Sequence, residues 1–170
     1  MPLPKWPPKR PRRTISWIDH FSLLPGDASV TTTYNAVNSG IGSGLPALVI
    51  HSSTTGENAP SGGNKVVQTA LEVPPHYRIV GVRLCYELTN ARSFVSQVSI
   101  SQVQNPPAAA NALLDDGTHH TDVGPVCIDI TSQQIDPAAG PLLFWLRVNF
   151  GDTSDRIAIR GVGLHLTPAP

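Results

Sequence analysis

Between residues 80 and 88 every second side chain is apolar. Val80, Val82, Leu84, Tyr86 and Leu88 share one parity, with Arg83, Cys85 and Glu87 on the other. Side chains alternate across a β-strand, so this pattern predicts a long, half-buried antiparallel strand over 78–88. Residues 94–104 repeat it, with Val98 and Ile100 inward against Gln97, Ser99 and Ser101. Residues 126–131 place Val126, Ile128 and Ile130 inward and Cys127 and Asp129 outward. Residues 142–150 set Leu142, Phe144, Leu146, Val148 and Phe150 inward and predict the most buried strand. In 156–166, Ile157 and Ile159 are in phase, whereas Val162, Leu164 and Leu166 fall one residue out. Gly161 lies at the break and predicts a β-bulge, which shifts side-chain parity without ending a strand.

Shorter segments rich in β-branched residues, at 14–18, 28–37, 47–53 and 65–73, read as further strands. They are punctuated by Pro25-Gly26-Asp27, by polar loops at 38–46 and 54–64, and by Pro74-Pro75. Residues 105–125 read as a long connection whose centre, 108–114, could hold one or two helical turns; 132–140 reads as a loop. Eight or nine strands result. With seventeen Pro, fourteen Gly and no helical period, the expectation is an all-β protein, an antiparallel two-sheet sandwich. The 105–125 link suits a crossing between sheets and so a jelly roll. The length of 170 residues fits one such domain, over 14–168.

Charge adds a second region. Residues 1–13 carry Lys5, Lys9, Arg10, Arg12 and Arg13, five of the twelve basic residues, and no acid. The rest of the chain therefore holds seven basic and twelve acidic side chains. Five prolines in this leader predict an extended arm, in which Trp6 is an aromatic available for docking. Such an arm suits a nucleic acid or the acidic surface of a neighbouring copy. The layout resembles that of small jelly-roll coat proteins, which implies a shell component in which a basic arm precedes the sandwich. No apolar run follows the charges as a secretory signal requires, and no stretch approaches the roughly 20 apolar residues of a membrane span. The expectation is a cytoplasmic protein or a virion or particle component, with no membrane contact.

Candidate chemistry is sparse. Asp115, Asp116, His119, His120 and Asp122 gather carboxylates and imidazoles within eight residues and are the candidate site for a divalent cation. Adjacent histidines on an extended backbone point opposite ways, so a solvated polar loop competes with that reading. Cys85 and Cys127 share the outward parity, and a disulfide is possible if their strands are neighbours; in a cytosolic setting reduced thiols are the default. Gly40-Ile-Gly-Ser-Gly44 lacks the helix that a phosphate-binding run needs, because Leu45-Pro46 follows. Trp145 and Leu143 give the 142–150 strand a second apolar face, which predicts an interface or a covering contact there.

No triad, carboxylate pair or metal spacing supports an enzyme. Two functions remain. The first is a self-assembling homo-oligomer whose arm residues and Trp145 make the contacts. The second is a carbohydrate- or calcium-binding recognition module using loops 38–46, 54–64 and 105–125, although no Trp, Tyr or Phe lies in those loops.

Overall fold

The computed structural model describes residues 13–34, 47–104 and 109–170. Its strands are β1 (Thr14–Ile18), β2 (Leu24–Pro25), β3 (Val30–Tyr34), β4 (Leu48–Ser52), β5 (Val66–Leu71) and β6 (Tyr77–Leu88). They continue with β7 (Phe94–Val103), β8 (Ala110–Asp116), β9 (Val126–Ile135), β10 (Leu142–Asn149) and β11 (Ile157–Pro168). Among the described residues, the helical content is two single 3₁₀ turns, His20–Ser22 and Pro137–Ala139. No helix there is long and apolar enough to cross a membrane.

All strand pairs are antiparallel, and they nest. β7 pairs β8, β6 pairs β9, β5 pairs β10, and β4 pairs β11. One long hairpin has thus been rolled onto itself, which is the jelly-roll topology. Two sheets result, ordered β3-β4-β11-β6-β9, with β1 alongside β11, and β2-β5-β10-β7-β8. The expected fold class is therefore observed.

The core lies between the sheets. Phe144, Leu146, Val148 and Phe150 are fully buried, as are Val98, Ile100, Ile157, Ile159, Val162 and Leu164. The register of β11 against β6 shifts between Ile159 and Gly161, so the bulge expected at Gly161 is present and Arg160 is the extra residue. That shift lets both halves of β11 bury their apolar side chains.

Several elements differ from the pattern-based reading. In β6 the buried residue is Ile79, and Val80 is only partly buried. A second register shift, between Ile79 and Gly81 against β9, turns the strand over there. Residues 110–116 form strand β8 and hold no helical turn, because β7 offers a free edge that they complete. The crossing between sheets is consequently confined to 117–125. β9 runs on to Ile135 through residues read as loop, paired at its far end with Ile79. The strand expected over 28–37 is seen as Val30–Tyr34, and 35–37 lie outside the described residues.

Candidate functional site

β10 occupies the centre of its sheet, and its outward side chains are Leu143, Trp145, Arg147 and Asn149. Register places Gln68 and Ser99 on either side of Trp145, with Asp115 beyond Ser99. Ala70 and Ser101 flank Leu143 in the same way. Small residues beside the indole leave it room to lie down on the sheet. Its Nε1 donates to Ser101 Oγ at 3.0 Å, which swings the ring over β7. Ser99 is on the outward parity yet fully buried, with Trp145 as a register neighbour covering it. Ser99 satisfies its hydroxyl by donating to the Leu114 carbonyl at 2.8 Å.

Around the ring stand planar polar groups. Arg147 Nη2 pairs with Glu57 Oε2 at 2.7 Å, while Arg147 Nε is buried without a partner. The Gln97 amide donates to Asp115. The Gln68 side chain is exposed. The result is an aromatic plate in the middle of an open sheet face, framed by amides, by the Arg147–Glu57 ion pair and by the Asp115 carboxylate. Such a surface can stack against the flat apolar side of a ligand ring and exchange hydrogen bonds with its rim.

The other sheet presents a different outer face. Cys85 and Cys127 are directly opposite on β6 and β9 and form a disulfide. The two outward positions meet in one register, where the sequence reading left a disulfide open and took reduced thiols as the cytosolic default. Next to it, Arg83 donates Nε and Nη2 to the two oxygens of Asp129 at 2.8 and 2.7 Å. His165 Nε2 lies 2.7 Å from the same carboxylate. Arg83, helped by His165 and opposed by partial burial, holds the Asp129 carboxyl far below the usual carboxylate range.

The acidic, histidine-bearing segment does not converge. Asp115 and Asp116 sit on β8 with opposite parity, not on a loop. Asp116 Oδ2 meets His120 Nε2 at 3.0 Å. Burial pushes the Asp116 carboxyl up, but hydrogen bonds from Thr118 and His120 bring it below its ordinary value. His119 stacks on Phe94 with ring centroids 4.8 Å apart, and Asp122 caps the Gly124 amide at 3.0 Å. Among the described residues no three His, Cys, Asp or Glu side chains are gathered as a metal site requires.

Loop 54–64 is largely exposed, but its first three carbonyls are turned inward. Fully buried Lys65 donates to the carbonyls of Thr54, Thr55 and Gly56 at 2.5, 3.0 and 3.0 Å. Burial pushes this amine below the usual lysine range, with Asp27 opposing. The carbonyls of residues 54–56 are thus spent on an internal cation. Loop 38–46 and arm residues Lys5, Trp6, Lys9, Arg10 and Arg12 lie outside the described residues; Arg13 is exposed. Sequence reasoning singled out Trp145 but missed Gln68, Gln97, Ser99, Ser101, Arg147 and Glu57, which become neighbours only through strand order.

No protein-family model matches the chain, and no curated protein matches it in sequence. Solved structures of like fold are found. The CBM22-1–GH10 modules of a Clostridium thermocellum endo-1,4-β-D-xylanase, complexed with xylohexaose, superpose with a TM-score of 0.51 at 9% identity. That match covers 95% of this chain, which spans 29% of the xylanase chain. A carbohydrate-binding module, CBM36, in complex with calcium and xylotriose gives 0.46 at 9% identity, covering 89% and 98% of the two chains. The adhesin domain of Lys-gingipain from Porphyromonas gingivalis W83 gives 0.45 at 14% identity, covering 89% and 97%. The likeness to the xylanase chain is one of fold alone and covers only part of it: this chain is a jelly-roll β-sandwich.

Proposed function

We propose that this protein is a carbohydrate-recognition module whose binding face is the outer surface of the β2-β5-β10-β7-β8 sheet. The observation that carries the reading is Trp145, half-buried at the centre of that open face, its ring tied to Ser101 over the buried Ser99. A pyranose ring has an apolar flat side and a rim of hydroxyls. The indole meets the first, and Gln68, Gln97, Asp115 and Arg147 are placed to meet the second. Arg147 and Glu57 cancel each other's charge, and Gln97 donates to the Asp115 carboxylate, whose remaining negative charge suits an uncharged sugar chain over an anionic one. The Cys85–Cys127 disulfide fits a protein that works in an oxidising compartment.

The test is affinity electrophoresis in gels holding soluble xylan, β-glucan, galactomannan or galactan, with xylohexaose as the first calorimetric probe. At least one polysaccharide should retard the wild type. Trp145→Ala should then weaken binding by about 2 kcal/mol or more, roughly 30-fold, as for a buried aromatic anchor. Retardation by none of them, or equal retardation of the variant, refutes the reading.

A second reading, self-association of copies, is favoured by one separate observation. Phe21, Leu24 and Tyr34 are large exposed apolar residues close together in the chain, and Phe21 and Tyr34 stack edge-on at 5.0 Å. Light scattering across protein concentration tests it: a mass that stays at 18.1 kDa excludes assembly through this patch.

A further inference from the structure

The sheet opposite Trp145 also carries a tryptophan laid on its outer face, in a different setting. Register sets Trp17 beside Gly163 on β11, Gly163 beside Arg83 on β6, and Arg83 beside Asp129 on β9. These four positions form one row across the sheet. The row beneath holds Gly161, Cys85 and Cys127. A methyl group at Gly161 or Gly163 would stand 3.2 Å from Trp17 Cζ3 or Cε3. The six-membered ring therefore rests in the space that these two glycines leave above the strand. With one side on this glycine floor, Trp17 is still 57% exposed.

Beside the ring, Arg83 and His165 both engage Asp129. The cluster carries donors and acceptors at the sheet surface while its charges offset one another. The fully exposed alternative for an unpaired tryptophan would be a rotamer extended into water. Here the ring is instead laid against the sheet, more exposed than Trp145 and beside charged groups in place of amides. In a two-sheet sandwich the outer faces point in opposite directions.

From this pairing we infer that Trp17 is the platform of a second carbohydrate-binding face, with Asp129, Arg83 and His165 at its rim, so that one molecule binds two sugar chains. The inference rests on the reading of the Trp145 face for its ligand class. Its geometry is independent of that face.

Calorimetry of the intact chain with a six-unit oligosaccharide of whichever polysaccharide retards it reads the stoichiometry directly. Two ligands per chain are expected for the wild type, and one each for Trp17→Ala and Trp145→Ala. Trp17→Tyr should restore the second site, which separates loss of the platform from loss of packing on the glycines. The wild type should also cross-link soluble polysaccharide into scattering particles, and either alanine variant should fail to do so. One ligand per wild-type chain, lost in Trp145→Ala and unchanged in Trp17→Ala, overturns the second face and leaves the first standing. Binding lost only in Trp17→Ala upholds this face and overturns the Trp145 reading. Trp17→Ala that lowers particle mass but leaves sugar stoichiometry at its wild-type value would assign the ring to a contact between copies and overturn the inference.

Discussion

Asp155→Ala tests how the two ends of the rolled hairpin are fastened. Asp155 is 5% exposed. It accepts from Arg92 Nε at 2.8 Å, from Arg92 Nη2 at 3.1 Å and from Ser93 Oγ at 2.6 Å. Ser93 Oγ in turn accepts from the Gly151 amide at 2.9 Å, so the turn after β6 is tied to the turn after β10. The contributions are unequal. The Arg92 side chain is 50% exposed, so water replaces much of what it loses, and its pair belongs with surface ion pairs at about 0–1 kcal/mol. Ser93 is fully buried, and a hydroxyl left without its charged acceptor costs about 1–2 kcal/mol. The sum is about 1–3 kcal/mol, or a fall in Tm of roughly 2–12 °C for a chain of this size. The Arg92 hydrogen bond holds the Asp155 carboxyl below its ordinary range, with burial opposing it. A depressed folded pKa means that this stabilisation is complete above the unfolded value near 3.9 and is lost as pH falls below it. Scanning calorimetry at pH 7 should therefore show the full gap between wild type and variant, and the gap should narrow below about pH 4. A Tm within about 1.5 °C of wild type at pH 7, or a gap that stays constant into acid, would refute the reasoning.

Two further expectations concern β6. A methyl at Gly81 would lie 2.4 Å from the Ile130 carbonyl oxygen, which is backbone of β9 and cannot move without breaking the pairing. Gly81→Ala should lower stability by about 2 kcal/mol or more in urea unfolding, against Gly117→Ala, where nothing lies within 4 Å, as the control; equal midpoints would contradict this. The disulfide closes a span of 42 residues, so Cys85→Ser with Cys127→Ser should cost about 3–4 kcal/mol by loop-closure entropy. Wild type in reductant should unfold like the double variant, and two titratable thiols in the untreated native protein would exclude the bridge.

What could be read from the chain, and what could not, divides along a physical line. Parity within one strand is local, and it was enough to place Phe144, Leu146 and Val148 in the core and Trp145 outside it. It also located the bulge at Gly161, because two in-phase apolar runs cannot face one core unless the strand slips between them. The same logic failed at Val80. Ile79 and Val80 are both apolar, so the slip before Gly81 left no trace in the pattern. It failed again at β8, whose Ala-Asn-Ala-Leu-Leu-Asp-Asp has neither β-branched residues nor alternation; what makes it a strand is the open edge of β7. The Asp115–Asp122 cluster was read as a site because its members are close in sequence. On an extended chain closeness in sequence disperses side chains: Asp116 and His120 meet each other, while Asp115, His119 and Asp122 turn to Gln97, Phe94 and the Gly124 amide.

The missed strand had a consequence larger than itself. In a rolled hairpin, partners are assigned by counting outward from its tip, so neighbours across a sheet are fixed once the strands at the tip are right. With β8 left out, the count slides by one. The strand over 94–104 would then pair with 78–88 in place of 110–116, and 65–73 would meet 126–131 in place of β10. Trp145 would have been set beside residues of β4, with Gln68, Ser99 and Asp115 elsewhere. With β8 counted, the nested pairs become β5·β10, β6·β9 and β7·β8, and the frame around the indole follows. The proposed binding face is therefore written in the sequence twice over, in the outward parity of each strand and in the order that parity alone does not supply. It becomes readable only when a weakly patterned edge strand is recognised from the partner it completes.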